Sequence, residues 1–391
     1  GRVHTDVGDL QTDLKISSDK EKQLFAYSGS MKTTDWNLQQ MLGNKKLGHV
    51  TFNLGVDGQH TASLYPTIML KGEVQQIDYS GYQYENIRLD GEYKQGGFNG
   101  QLTIDDPNGS LHVNGAINTE SRIPTFNFLA TVNRVRLNDL QLTEEYPDTE
   151  LSLKLRANFT GGHVDEMNGE INIDSLRFLS PGKLYTMDNL RITSETTDAQ
   201  HKRLTVTSPS LRASIDGNYS YRTLPLSLEH LVSHYLPSLI AKREAKSKAK
   251  PHLTPENDFG FDIHLSDAEL FSTLFHVPLT LYAHSTMKGY VSDRMERIRI
   301  EGYFPRLRYK QKFYESAMLL CENPADRLRA HARFNEMKPD GAVNVTLDAN
   351  AYGDSIQAQL HWGNSGEATY SGRLDALAHF TPAPLTTTIQ I

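Results

Sequence analysis

The chain is poor in the residues that cross-link, ligate or anchor. Its 391 residues include one cysteine, Cys321, and two tryptophans. A lone thiol excludes an internal disulfide and a cysteine-based zinc cluster, and it suits a reducing or an oxidising compartment equally well. Only 38% of the residues are hydrophobic and the mean hydropathy is −0.50. No run approaches the roughly 20 apolar residues of a membrane helix. Lys plus Arg number 40 against 47 Asp plus Glu, a net charge of −7. That balance lacks the cationic surplus that phosphate backbones require, so no nucleic-acid partner is expected. There is no Gly-x-Ser-x-Gly elbow, no phosphate loop and no Gly-x-Gly-x-x-Gly, so neither an enzyme nor a cofactor is expected. The chain begins at Gly1 with neither an initiator Met nor a signal-like region, and reads as a piece of a larger protein.

What is present is alternation. Between Tyr82 and Ile117 apolar residues fall at every second position: Ile87 and Leu89, then Phe98, Gly100, Leu102 and Ile104, then Leu111, Val113, Gly115 and Ile117. Asp90-Gly91, Gly96-Gly97 and Asp106-Pro107-Asn108-Gly109 punctuate the runs. A period of two places one side-chain set on each face of a strand, and Asn-Gly pairs supply the backbone of short hairpins. The pattern predicts a β-meander with one apolar and one wet face. It continues through Phe126 and Phe128, through Leu151, Leu153, Leu155, Ala157 and Phe159, and through Val343, Val345 and Leu347. Residues 77–89 and 176–192 share an aromatic, a Gly-containing turn and an acid–Asn pair, and a third copy is split between 295–303 and 307–320, which suggests repetition at about 100-residue intervals.

Three short helices interrupt the strands. Thr34-Asp35 before Trp36, Leu38, Met41 and Gly43 predicts a capped helix. Ser227 to Ala241 carries Leu228, Leu231, Leu236 and Ile240 at helical spacing, with Ser227 as cap and a kink at Pro237. Ser266-Asp267-Ala268-Glu269 resembles a capping box before Leu270 and Leu274. Basic residues from Lys242 to Lys250 predict a flexible linker rather than a headgroup-binding run. The expected divisions are 1–70, an N-terminal β segment with a short helix; 71–225, β-groove repeats; 226–257, amphipathic helix plus linker; and 258–391, a second β-groove segment.

His230 and His234 have metal-ligand spacing, but Leu231 stands where a metalloprotease needs Glu, so no metal site is expected. Asp105, Asp106 and Asn108 resemble the start of a calcium loop; Pro107 and the absent bidentate Glu make a hairpin turn the better reading.

The fold expected is mostly β, an elongated curled antiparallel sheet with a few short helices. Periodicity leaves open whether the apolar face lines a groove or is closed against a second sheet in a sandwich. If it is a groove, the candidate lining residues are Leu102, Ile104, Leu111, Val113, Phe126, Phe128, Leu151, Leu153, Leu155, Ile215, Phe261, Val343, Val345 and Leu347.

YENIRLDGEYKQGGFNGQLTIDDPNGSLHVNGAI together with PTFNFLATVNRVRLNDLQL resembles the TamB/AsmA-like proteins of Gram-negative bacteria, in particular those of the Bacteroidota. LPLSLEHLVSHYLPSLIAKREAK followed by NDFGFDIHLSDAELF looks like a helix, linker and strand of the same family, and the likeness spans most of residues 70–375. The resemblance implies a periplasmic protein whose parent is anchored in the inner membrane. Its β-groove would hold phospholipid acyl chains on their way to the outer membrane. Help with outer-membrane protein assembly, beside a β-barrel partner and by strand addition, is the alternative. A surface adhesin built of sandwich domains is a third reading.

Overall fold

The computed structural model describes residues 1–19, 21, 24–61, 64–198, 201–246, 256–339, 341–364, 369–381 and 387–390. It is mostly β, and the chain divides into two compact units, Gly1–Arg191 and Ile192–Ile391.

In the first unit the strands are β1 (Arg2–Thr5), β2 (Gly8–Asp19), β3 (Leu24–Asn37), β4 (Leu47–Thr61), β5 (Leu64–Tyr79), β6 (Tyr82–Lys94), β7 (Gly97–Asp106), β8 (Gly109–Asn118), β9 (Thr125–Val135), β10 (Glu150–Thr160) and β11 (Asn168–Ser180). Each pairs antiparallel with the next, from β1 to β11. Two-residue turns containing Gly, Asn or Asp join β1 to β2, β5 to β6, β6 to β7 and β7 to β8, which makes these sequence neighbours sheet neighbours. β12 (Lys183–Thr196) carries the chain across the division.

The second unit repeats the scheme with β13 (Lys202–Thr207), β14 (Leu211–Asn218), β15 (Asp258–Asp267), β16 (Leu279–Ser292), β17 (Arg297–Tyr309), β18 (Lys312–Glu322), β19 (Leu328–Lys338), β20 (Gly341–Tyr352), β21 (Ser355–Asn364), β22 (Ser371–Phe380) and β23 (Thr387–Gln390). Again every strand pairs antiparallel with its successor.

The sheet curls, and glycine permits it. Gly91 faces Gly100, and Gly100 faces Gly115, on three adjacent strands. A Cβ on Gly100 would run into the backbone of Asp90 and Gly91; one on Gly115 would strike Asn127 and Phe128. Gly115 also sits at φ +146, a conformation that side chains disfavour. A column without side chains lets neighbouring backbones close in on the apolar side, so the sheet bends there.

The acid–Asn pairs noted in the sequence are kinks. Asn86 and Asn189 both lie at φ 54, and Ser316 in the third copy at φ 51. Asn tolerates this left-handed region because its short side chain bonds locally; Asn86 donates to the Asp105 carbonyl at 3.1 Å. Asp35 and Arg134 adopt the same conformation, so in the first unit the kink recurs in every third strand: β3, β6, β9 and β12. The repeat is finer than the sequence spacing suggested.

Among the described residues there are four helices, not three: α1 (Leu38–Leu42), α2 (Leu224–Ser233), α3 (Pro237–Lys246) and α4 (Glu269–Leu274). β3 continues through Asp35, and the cap of α1 is Asn37, which accepts from the Gln40 amide at 2.9 Å. Pro237 starts a new helix instead of kinking one, as suits a residue with fixed φ and no N–H. Ser227 lies inside α2, whose first turn begins after Thr223. α4 starts after Ala268 because β15 runs on to Asp267. The expected linker is helical up to Lys246, and its residues 247–255 lie outside the described residues.

Candidate functional site

Antiparallel partners share a face, so the register shows which side chains line up across the sheet. From β4 to β11 one ladder reads Leu54, Gly72, Leu89, Leu102, Val113, Ala130, Leu155 and Ile173. The ladder beside it reads Phe52, Val74, Ile87, Ile104, Leu111, Val132, Leu153 and Leu176. Two residues further along the strands come Phe128 opposite Ala157, then Phe126 opposite Phe159, whose rings stack at 4.6 Å. Leu151 lies at the other end, opposite Val135 and Phe178. The candidates of the first unit are thus on one continuous apolar face.

The face is neither a closed core nor a bare surface. Leu102, Ile104, Leu111, Val113, Phe126, Phe128, Leu151, Leu153 and Leu155 are all half-buried. Side chains between two packed sheets would mostly be shut away from water.

In the second unit Ile215 faces Phe261, and the ladder continues through Gly289, Ile300, Cys321, Ala330, Ala349 and Ala358. Leu347 pairs with Ala332 and Leu360, and Val345 with Phe334 and Trp362. Ile215, Phe261, Val345 and Leu347 are half-buried; Val343, at 5% exposure, packs among its neighbours and is closed off. Burial, then the Glu322 carboxylate beside it, pushes the Cys321 thiol up, which keeps it protonated and inert on this face.

The opposite face is charged. Cross-strand pairs such as Lys71–Asp90 at 2.7 Å, Arg156–Asp174 at 2.9 Å and Lys288–Glu301 at 3.6 Å run over it. A hydrogen bond from Lys71 to Asp90, reinforced by their charges, holds the Lys71 ammonium above its ordinary value. Hollows of about 340 and 460 Å³ lie here, one edged by Lys288, Glu301 and His331, the other by Lys71, Arg88 and Asp90. Their walls mix both signs, so neither favours a charged ligand.

One end of each apolar face is covered. In the first unit the β9–β10 connection sets Leu140, 6% exposed, beside Tyr84, whose hydroxyl donates to the Leu140 carbonyl at 3.0 Å. The Asp106 carboxylate accepts from the Tyr82 hydroxyl at 2.6 Å and from the Glu85 and Asn108 amides at 3.2 and 2.9 Å. These bonds give the calcium-like residues a structural part in the turn. Burial, then the bond to Asp106, pushes the Tyr82 phenol up to about 12.

In the second unit α2 lies on the face: Leu231, 1% exposed, packs with Val291 and Ile298 and against Phe259, Ile300 and Leu328. A buried polar node fixes it. Ser227 donates to Asp293 at 2.7 Å, and Asn257 donates through its backbone to Asp293 at 2.8 Å and through its side chain to Ser227 at 2.6 Å. Further along, Asn323 donates to the Tyr235 hydroxyl at 2.8 Å, and Asp354 accepts from the Ser238 amide at 2.8 Å. α2 and α3 thereby tie down three successive hairpin turns. His230 and His234 serve this cover too: His230 lies 3.5 Å from Asp293, and His234 3.3 Å from Glu296.

Sequence reasoning did not single out Val291, Ile298 or Ile300, although their alternation is visible. The signal was there in the apolar face of α2, which needed an apolar partner. Among the described residues no group of three or more His, Cys, Asp or Glu could hold a metal ion, and no helix is long and apolar enough to cross a membrane. No protein-family model, characterised protein or solved structure matches the chain.

Proposed function

We propose that each unit holds phospholipid acyl chains against its apolar face and that the chain is one segment of a non-enzymatic, lipid-conducting groove. The observation that carries this reading is the apolar ladder from β4 to β11, in which Leu102, Ile104, Leu111, Val113, Leu153 and Leu155 stay half-buried. An acyl chain laid along it removes apolar surface from water at about 25 cal/mol per Å². Ladders of like side chains offer no fixed polar contact, so a chain can slide from strand to strand. The headgroup remains in solvent along the open side. The TamB/AsmA-like resemblance supports the same function, and with it a periplasmic address, an inner-membrane anchor in the parent protein and a β-barrel partner in the outer membrane.

Photo-crosslinking tests the proposal. Benzoylphenylalanine replaces Val113 in one variant and its neighbour Asn114, on the charged face, in another. Lipid-sized mass adducts at 113 and none at 114 are expected after irradiation in cells. Equal labelling, or none at 113, would overturn the groove. Polypeptide adducts in their place would favour an assembly scaffold that receives extended barrel strands.

A further inference from the structure

The uncovered end of the second unit differs from every other part of the chain. Three tips lie together there. The first is the exit from α4, where Phe275 is 71% and Val277 46% exposed. The second is the β17–β18 hairpin, whose tip reads Arg306, Leu307, Arg308, Tyr309, Lys310, Gln311, Lys312. The third is the end of β19, with Met337 and Lys338. Direct contacts join them: the Lys310 amide donates to the Pro278 carbonyl at 2.8 Å, Leu279 pairs with Tyr309, and Lys312 bridges to Glu336 at 2.7 Å.

Exposed Phe and Val at such a tip cost solubility and leave apolar surface in water. The stretch from Arg306 to Lys312 has no acidic residue, although the whole chain carries a net charge of −7. Glu315 and Glu336 pair with Arg306 and Lys312, and Arg308 and Lys310 keep the hairpin tip net cationic. The equivalent end of the first unit also exposes apolar residues, Ile123 and Val164 at 59% and 69%. There the neighbours are Glu120, Arg122, Asp165 and Glu166, a balance of the opposite sign.

We propose that this tip docks the second unit on the surface of an anionic phospholipid bilayer. Phe275 and Val277 enter the boundary between headgroups and chains, while Arg308 and Lys310 meet headgroup phosphates. Apolar insertion combined with cationic attraction is the physical pattern of an interfacial anchor. The tip lies at the end of the apolar face that α2 and α3 leave uncovered, so docking would bring that open end to the membrane. The docking itself does not depend on lipid being held in the groove.

Vesicle flotation reads it directly, using phosphatidylcholine vesicles with or without phosphatidylglycerol. The chain is expected to float with the anionic vesicles only and to detach as salt rises. Exchanging Arg308→Gln and Lys310→Gln together should weaken binding about thirtyfold, given the weight of one cation near an anionic surface. Phe275→Ser should weaken it too, with unchanged melting because the residue is so exposed. Lys71→Gln with Arg88→Gln, on the charged face of the first unit, should leave binding intact. No flotation, or flotation that ignores both tip variants, would overturn the proposal. So would a concentration-dependent dimer abolished by Phe275→Ser, because the patch would then be a contact between copies. Lipid extracted before vesicles are added reads the groove separately, so either reading can fail without the other.

Discussion

The two units build the same sheet and close it in different ways. In the first, an irregular connection between β9 and β10 covers the end with one buried leucine, Leu140, and the Tyr82–Asp106–Asn108 bonds. In the second, two helices between β14 and β15 do the same work with Leu231 and a node of Ser227, Asn257 and Asp293. The sheet is therefore generic and its cover is particular. Apolar alternation suffices to make a curled face, whereas sealing one end requires side chains that fit specific turns.

That contrast predicts unequal sensitivity. Trp36 lies in the first unit and Trp362 in the second, and the chain has no other tryptophan, so single-Trp variants report each unit by fluorescence. The largest effect is expected for Leu231→Ala, about 3–4 kcal/mol from lost burial and the cavity left behind. Chemical denaturation should show it at Trp362 and not at Trp36. Equal shifts at both probes would mean that the units do not respond separately. Leu140→Ala should cost less, about 2 kcal/mol, because a connection without helical hydrogen bonds can settle into the space. It should appear at Trp36.

Smaller still is Tyr82→Phe, about 1 kcal/mol for the bonds to Asp106 and Asn108. Its pH dependence sharpens the comparison. The phenol is raised to about 12 from an ordinary 10, so the folded state favours its protonated form. The stabilisation is complete below pH 10 and is lost as pH climbs towards 12. The gap between native and variant stability at Trp36 should therefore narrow over that window. A gap that widens there would contradict the burial assigned to Tyr82.

Strand after strand was legible in the sequence because a period of two is written into residues such as Leu102, Ile104, Leu111 and Val113. The ladders they form were not, since register depends on which turn residues take left-handed backbone. Asn86 and Asn189 were visible as a repeated pair, but nothing in the alphabet distinguishes a kink from a turn. α3 was read as a linker from Lys242 onward because its apolar periodicity stops there. Ala, Lys, Arg and Glu are nonetheless good helix formers, and Pro237 opens the helix. Val343 has the same alternation as Val345, and only packing shows that one is closed and the other half-open. The hairpin tip was visible only as part of a repeat copy, and its cations become notable once Phe275 is seen beside them.

The proposed groove requires the apolar face to be an open surface for acyl chains and not the interior of a core. Val113→Glu and Leu153→Glu, each followed by thermal melting and by lipid content in organic extracts, test it most directly. On an open face the carboxylate reaches water and escapes the cost of a buried, unpaired charge. Both variants should then melt near the native temperature and carry several-fold less phospholipid. Unfolding of both variants, or native lipid content in both, would contradict the claim.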